Sequence, residues 1–242
     1  MPSAPPPVGV PQGEARRSNV RQMFTDIAPR YDLLNRVLSL NTDRSWRRRA
    51  VRHLEWRAVP AGRYLDLCAG TLDLAAELAG QDGFRGRVVG ADFAIPMLRL
   101  GLTKDDELRA VGADALDLPF PAATFDGCMI AFGIRNLADL DAGLAEMARV
   151  LKPGGRLVIL EFSLPTARAF RSLYLLYFRH VLPRVGRLVS KHTSAYSYLP
   201  ASVQEFPEPS YLLARMAANG FAAVSHAPLT FGIAALHAGV RR

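Results

Sequence analysis

The stretch RYLDLCAGTLD, residues 63–73, is the part of the chain from which the fold can be inferred. It predicts a short strand over Arg63–Leu67 and, after a turn of small residues, a helix over Leu72–Ala79. A turn of small residues lets backbone N–H groups approach a ligand closely at the N-terminus of a helix. The stretch therefore predicts a strand–turn–helix unit with a binding loop at the end of the strand.

The same alternation of short apolar runs and helical stretches continues to Glu161. It predicts strands over Arg87–Ala91, Leu108–Val111, Phe125–Ala131 and Arg156–Glu161, and helices over Ile95–Lys104 and Asp139–Leu151. Closer to the C-terminus it predicts a helix over Tyr211–Asn219 capped by Gly220, then strands over Ala222–His226 and Ile233–Val240. Strands that alternate with helices form βαβ units, so we expect an α/β fold with a doubly wound, mostly parallel, Rossmann-like sheet.

The domain organisation follows from changes in composition along the chain. Residues 1–17 begin with a Pro- and Gly-rich run and predict a disordered tail. Residues 18–242 predict a single domain, which we divide into an N-terminal helical cover (18–62), a cofactor-binding core (63–161), a basic aromatic insert (162–204) and a closing helix with two strands (205–242).

Bulk composition excludes several classes of protein. Half of the residues are apolar, which excludes general disorder. No run approaches the roughly 18 apolar residues of a membrane span, and no apolar signal core precedes the domain, so we expect a cytoplasmic protein. Cys68 and Cys128 lie in apolar runs and predict neither a disulfide framework nor a metal site.

The formal charge of +8 is spread unevenly. Residues 1–63 carry a net charge of +7, residues 64–161 a net charge of −6, and residues 162–204 a net charge of +6 with no acidic residue. The basic regions are typical of a protein that meets an anionic surface, either phospholipid or nucleic acid, and equally of a solvated basic face. The acidic middle argues against a nucleic-acid groove, so we expect no nucleic-acid partner.

Polar residues at the ends of successive strands predict a ligand site. The first strand and its turn place Asp66, Gly70 and Thr71 there. Asp92 ends the second strand, where a carboxylate can accept hydrogen bonds from ribose hydroxyls. Asp114, after the third strand, can accept from an adenine amino group. A single strand-end Asp is more often a helix cap, but three such groups together indicate a nucleoside-type cofactor.

Several segments resemble the ubiquinone/menaquinone biosynthesis C-methyltransferase family. Residues 31–39 (YDLLNRVLS) followed by Trp46, residues 131–136 (AFGIRN) and residues 149–163 (RVLKPGGRLVILEFS) are similar to segments of that family. The similarity continues through residues 180–183, 196–199 and 235–237, so it covers nearly everything from residue 18 onward. The RVLKPGG run occurs in many methyltransferases, whereas the other two segments are more specific.

The resemblance implies a class I fold, S-adenosylmethionine as cofactor and a polyprenyl naphthoquinol or benzoquinol as methyl acceptor. It implies cofactor contacts at Thr71, Asp92, Asp114 and Ala115, and a helical cover that brings Tyr31 and Asp32 to the site. Leu72 stands where the family often has a small residue. We therefore expect Leu72 to crowd the cofactor turn, so that Leu72→Gly would keep or tighten cofactor binding and cost up to about 1 kcal/mol of helix stability.

The chemistry needs no metal, because the sulfonium methyl is already activated, and the five His residues form no ligand cluster. A ring carbon must be aligned behind the methyl, and an adjacent hydroxyl must be polarised as negative charge develops. Arg135 and Asn136, after the fourth strand, are the first candidates to stabilise that charge. In the alternative, Arg135 pairs with a sheet-edge acid and Asn136 caps a helix.

The remaining candidates are less specific. Tyr31 can position substrate or be a core residue, and His192 and Tyr196 are further candidate bases. The insert carries a helical stripe of apolar residues flanked by arginines: Phe170, Leu173, Tyr174, Tyr177, Phe178 and Val181. This stripe can line a groove for a prenyl tail and rest on an anionic membrane at the inner face of the cell, or pack in the core or in a homodimer.

The function that the resemblance implies is methylation of demethylmenaquinol to menaquinol. The benzoquinol precursor of ubiquinone is the alternative acceptor. An RNA-binding methyltransferase or RNA-binding module is the alternative from a different class, although no aromatic–basic interleaving typical of base stacking is evident.

Overall fold

A computed structural model describes residues 13–39, 41–177 and 193–242. Its strands are β1 (Arg63–Leu67), β2 (Arg87–Asp92), β3 (Arg109–Gly112), β4 (Phe125–Ala131), β5 (Leu151–Phe162), β6 (Phe221–Leu229) and β7 (Ala234–Arg241). Its helices are α1 (Gly13–Ile27), α2 (Tyr31–Ser39), α3 (Thr42–His53), α4 (Asp73–Ala79), α5 (Ile95–Gly101), α6 (Leu140–Val150), α7 (Arg168–Leu176), α8 (Thr193–Glu205) and α9 (Pro209–Ala218).

The strands form one seven-stranded sheet in the order β3-β2-β1-β4-β5-β7-β6. Strands β1 to β5 pair in parallel, and β7 is antiparallel to both of its neighbours. The predicted doubly wound, mostly parallel sheet is therefore confirmed. The strand order reverses between β1 and β4, and ligands bind at such a switch point in open α/β sheets.

Successive side chains of β1 point to opposite faces of the sheet, and both faces are covered by helices. Tyr64 packs with the apolar residues of α3 and α4, whereas Leu65 and Leu67 pack with those of α6 and α9. Each of these side chains is at most 2% exposed. Burying one large apolar side chain contributes roughly 1.5–3 kcal/mol, so a central strand buried on both faces is a strong determinant of the sheet.

Most differences from the predicted element bounds are a few residues at an element's end, and two of them bear on the fold. Helix α6 ends at Val150 and strand β5 begins at Leu151, so the run 152–155 (KPGG) belongs to the strand. A register shift between Phe125 and Gly127 accommodates this run in the pairing with β4. The predicted tail of residues 1–17 is wrong for residues 13–17, because α1 begins at Gly13. Arg16 holds this first part of α1 to the domain by donating to the carbonyl of Arg135 at 2.6 Å.

The insert is only partly described. Helix α7 buries Tyr174 against Val203 of α8, together with Leu164 and Tyr177. The predicted stripe residues Phe178 and Val181 and the candidate base His192 lie outside the described residues, as does the side chain of Tyr196. Within the described parts of the chain, no helix has the length and apolar character needed to cross a bilayer.

Candidate active site

A cavity of about 60 Å³ lies at the carboxyl ends of β1, β2, β3 and β4. Its walls come from the cofactor-binding core and from the cover helices: they include Gly70, Asp92, Asp114, Ala115, Phe132, Asn136 and Tyr31. A second cavity of about 20 Å³ adjoins the first, shares Tyr31, Gly70 and Phe132 with it, and is also lined by Asp66 and Thr71. The sheet edge thus brings together residues that are far apart in sequence.

The turn after β1 has an unusual backbone. Cys68, Gly70 and Leu72 have φ values of +53°, +52° and +61°. The left-handed region costs a residue with a side chain roughly 1–2 kcal/mol, so this turn stores strain, as ligand-binding turns often do. Gly70 avoids that cost, and the turn can therefore present its backbone to the cavity.

Asp92 ties the turn after β1 to the end of β2. Its carboxylate accepts from the N–H of Gly70 at 2.9 Å and from the N–H of Ala94 at 2.8 Å. Burial raises the pKa of Asp92, and these two backbone donors oppose that effect. Each carboxylate oxygen keeps a second lone pair, so Asp92 can still accept from a pair of ribose hydroxyls.

Asp114 lies at the other end of the cavity and is held by two contacts. One oxygen accepts from the N–H of Leu116 at 2.9 Å, and the other forms an ion pair with Arg17 of α1. Ala115, which is buried next to it, contributes apolar wall to the cavity. An adenine ring needs an acceptor for its amino group and an apolar surface beside that acceptor. Asp114 and Ala115 provide these two features.

Asp66 and Thr71 lie at the smaller cavity. Asp66 accepts from the N–H of Ala75 at 2.9 Å, and burial raises its pKa to about 7. Thr71 donates to the carboxylate of Asp32 at 2.5 Å. Together with Asp92 and Asp114, these residues place hydrogen-bond acceptors along both cavities.

The two predicted residues of α2 have different surroundings. Tyr31 borders both cavities, its ring lies 5.9 Å from that of Phe24, and burial raises its pKa. Asp32 lines neither cavity. Its carboxylate binds Thr71 and Lys104, the latter at 2.8 Å, so Asp32 anchors α2 to the core. This corrects the predicted position of its side chain.

Arg135 and Asn136 follow β4 in a short 3₁₀ turn. Arg135 is not part of the cavity wall: its guanidinium donates to Glu161 of β5 at 2.7 Å and to the carbonyl of Phe132 at 2.5 Å. This is the alternative arrangement, the ion pair with a sheet-edge acid, and it corrects the expected direction of the side chain. Asn136 does line the cavity, and its amide oxygen accepts from the hydroxyl of Tyr198 at 2.9 Å.

The predicted position of the Leu72 side chain is also wrong. Leu72 lines neither cavity, and its side chain is completely buried on the opposite side of the turn. A Cβ added at Gly90 would lie 2.1 Å from Leu72 Cδ2, and one added at Gly101 would lie 2.6 Å from its Cγ. Two glycines thus make room for Leu72 between β2 and α5, where it cannot crowd a cofactor.

Sequence reasoning missed Arg17 and Tyr198 as residues of the site. Tyr198 falls within residues 196–199, which carry part of the family resemblance, so a signal was available. Arg17 had none, because its partner Asp114 is 97 residues away and no local pattern reports such a pair.

The chain is similar to known proteins over almost its whole length. The model of the ubiE/COQ5 methyltransferase family matches residues 12–241. The chain is 52% identical over 223 residues to demethylmenaquinone methyltransferase of Thermus thermophilus, covering 90% of this chain and 100% of that protein. It is 50% identical over 241 residues to demethylmenaquinone methyltransferase of Deinococcus radiodurans, covering 98% of each.

Solved structures share the fold at much lower identity. A SAM-dependent methyltransferase of Thermotoga maritima superposes with a TM-score of 0.65 at 16% identity, covering 91% of this chain and 99% of that one. The cyclase SpnF superposes with a TM-score of 0.67 at 15% identity, covering 96% and 98%. Because these neighbours include a cyclase, the fold alone does not define the reaction. The family match over almost the whole sequence does define the family: the chain belongs to the ubiE/COQ5 methyltransferase family.

Proposed function

We propose that this protein transfers a methyl group from S-adenosylmethionine to a ring carbon of a polyprenyl quinol, converting demethylmenaquinol to menaquinol. The observation that carries the proposal is a sequence identity of 52% and 50%, over almost the full length, to two proteins named demethylmenaquinone methyltransferase. The acceptor has a lipid tail, so we further propose that the protein works at the cytoplasmic face of the cell membrane as a peripheral protein.

The strand-end acids are proposed to hold the cofactor. Asp92 would accept from the ribose hydroxyls and Asp114 from the adenine amino group, with Ala115 against the ring. Gly70, Thr71 and Asp66 would surround the amino-acid tail. Once bound there, S-adenosylmethionine would supply an electrophilic methyl group. Phe132 and Ala131 contribute apolar wall to the cavity and would help to exclude water from that methyl group.

Asn136 is the residue we assign to the acceptor. Its amide oxygen is engaged by the Tyr198 hydroxyl, and its Nδ2 is 3.5 Å from the carbonyl of Phe132, a weak contact at best. An amide N–H is therefore free to donate to the ring oxygen on which negative charge develops, and a fixed donor of this kind lowers the barrier. Tyr31, in the N-terminal helical cover, is proposed to position the quinol ring of the acceptor. Arg135 is proposed to act indirectly, because it holds in place the 3₁₀ turn that carries Asn136.

The benzoquinol precursor of ubiquinone is the second candidate acceptor. It is favoured by 48% identity over 226 residues to a protein of Geobacter sulfurreducens named ubiquinone/menaquinone biosynthesis C-methyltransferase. Radiolabelled S-adenosylmethionine, offered with each quinol in parallel, tests the two acceptors. Faster labelling of demethylmenaquinol is expected, faster labelling of the benzoquinol would exchange the two candidates, and labelling of neither would overturn the proposal.

The cofactor site is tested by Asp92→Asn, which removes the charge but keeps one acceptor. We expect it to weaken S-adenosylmethionine binding by about 2 kcal/mol, roughly 30-fold in Kd. Asp126→Asn is the matched control, because Asp126 starts β4 at the opposite edge of the sheet and pairs with Lys152. Calorimetry that gives the same affinity for both variants would remove Asp92 from the site.

A further inference from the structure

Large apolar side chains are exposed together where β5 and β7 meet the insert. Phe231 is 82% exposed, Leu173 60% and Leu176 54%. The ring of Phe170 lies 5.4 Å from that of Phe231, so α7 and the turn before β7 form one surface. We call Phe170, Leu173, Leu176 and Phe231 the apolar tip. Tyr174 and Tyr177 of the same helical segment pack inward instead, against Val203 and its neighbours, so the tip is not the side of α7 that forms the core.

The turn that presents Phe231 is held in place against backbone strain. Thr230 and Phe231 have φ values of +45° and +57°, a region that side chains disfavour. The indole N–H of Trp46 donates to the Thr230 hydroxyl at 2.8 Å, and Ser163 donates to the carbonyl of Gly232 at 2.7 Å. A strained backbone that exposes an aromatic ring persists only because the surroundings enforce it, and such strain is concentrated at functional surfaces.

Positive charge accompanies the apolar tip. Arg168 and Arg171 are both exposed on α7. In sequence, residues 162–204 contain six basic residues and no acidic one. An apolar face with arginines beside it matches the interface of an anionic bilayer, where acyl chains lie under negative headgroups.

A series of aromatic rings connects the tip to the active-site cavity. Phe132 lines the cavity, and its ring lies 4.5 Å from that of Phe162. The ring of Phe162 is 6.1 Å from that of Trp46, which holds Thr230 next to Phe231. Packed aromatic side chains therefore lie between the candidate active-site cavity and the turn that carries Phe231.

We propose that the apolar tip, with Arg168 and Arg171, is the surface by which this protein docks on an anionic lipid bilayer. Docking would bury the strained Phe231 among acyl chains and bring the side of the domain that carries these packed aromatic rings to the membrane. The inference deepens the proposed function by assigning its membrane contact to named residues. Docking itself depends on the tip alone, and not on which quinol is methylated.

Flotation of the full chain with vesicles tests the proposal. Vesicles of phosphatidylcholine with phosphatidylglycerol should carry the protein, and vesicles of phosphatidylcholine alone should carry much less. Leu173→Ser with Phe231→Ser should reduce the bound fraction at least about tenfold, since binding scales with buried apolar area. Arg168→Gln with Arg171→Gln should remove the preference for phosphatidylglycerol. The matched control is Leu100→Ser with Leu102→Ser, which are exposed by 40% and 38% at the end of α5 and should change nothing.

Separate control measurements report on the folding and on the catalytic activity of the variants. The melting temperature of each variant is measured. If Leu173→Ser with Phe231→Ser melts at a lower temperature than the wild type, the single variant Phe231→Ser is used in its place. Methylation of a short-tailed quinol in solution should be unchanged in the tip variants. If vesicles are bound but no quinol is methylated, the proposed function fails and the docking surface stands.

Two results would overturn the docking surface. One is equal flotation of the tip and control variants. The other is sedimentation showing that the wild type is a dimer and that the tip variants are monomers with undiminished vesicle binding, because a second copy of the chain would then cover the tip.

Discussion

At the scale of single residues, the ion pair of Arg135 and Glu161 stands out because both side chains are almost inaccessible to water. Arg135 is 8% exposed and Glu161 is not exposed at all. The guanidinium also approaches the hydroxyl of Ser202 at 3.3 Å and the ring of Phe162. A buried pair of this kind is expensive to break from one side, because the remaining charge is left without a partner.

We predict that Arg135→Ala lowers the free energy of unfolding by about 3–5 kcal/mol, since it leaves the Glu161 carboxylate buried and unpaired. The double variant Arg135→Met with Glu161→Gln should lose less, because it removes both charges and keeps an acceptor for the backbone. Urea unfolding of both proteins measures the difference. An Arg135→Ala variant with undiminished stability would contradict this account of the ion pair.

Leu72 allows an unusual comparison of two truncations. Its side chain fills the core, so Leu72→Gly and Leu72→Ala both open a cavity, and losses of about 2–5 kcal/mol are typical of Leu→Ala. At a φ of +61°, Ala keeps the strain that Gly relieves. We therefore predict that the Gly variant is the more stable of the two by about 1 kcal/mol, the reverse of their usual order in the interior of a helix. Denaturant midpoints that rank Ala above Gly would contradict this account.

At the scale of elements, α1 forms part of the wall of the candidate cofactor site. Arg17 and Asp114 both line the inner cavity of about 60 Å³ and an outer cavity of about 410 Å³. Their ion pair therefore lies between the two spaces. Ligand pockets usually measure roughly 300–1,000 Å³, so we expect the inner cavity to enlarge around a nucleoside cofactor and α1, which lines it, to move.

We predict that Arg17→Ala accelerates the association of S-adenosylmethionine, because Arg17 competes with the adenine amino group for Asp114 and keeps the competent state less populated. Stopped-flow binding measures the rate constant. Arg21→Ala is the matched control, since Arg21 lines only the outer cavity and should leave the rate unchanged. Slower or weaker binding by the Arg17 variant would show that this arginine holds the cofactor.

At the scale of the whole molecule, His237 affects how stability depends on pH. It lies in β7, paired with His226 of β6, and is 2% exposed. Neither ring nitrogen has a hydrogen-bond partner among the described residues. Burial lowers the pKa of His237 to about 3, and the neighbouring His226 adds to that shift.

The sign of the effect follows from proton uptake. Below a pH of about 6.5 the unfolded chain binds a proton at this histidine and the folded protein does not, so stability falls as pH decreases, by up to about 1.4 kcal/mol per pH unit. We predict that His237→Leu is at least as stable as the wild type at pH 8 and that its advantage grows between pH 6.5 and pH 5. Melting curves at the three pH values test this, with His53→Leu in α3 as control. A constant difference would show that His237 is not buried in its neutral form.

The sequence by itself was sufficient for the α/β class, the mostly parallel sheet and the positions of Gly70, Asp92 and Asp114. These features depend on local patterns: apolar runs that match a strand period, small residues in a turn, and acids at the ends of successive strands. Parallel strands bring their carboxyl ends to one edge, so residues that end strands meet there by topology.

Only the tertiary structure decided where the individual side chains point. Arg135 and Glu161 are 26 residues apart, and Arg17 and Asp114 are 97 apart, so no short pattern reports either pair. Leu72 occupies a turn whose positive φ sends its side chain into the core, although its neighbours Gly70 and Thr71 line the cavities. Local sequence specifies which elements form, whereas the direction of a side chain depends on packing between elements that are distant along the chain.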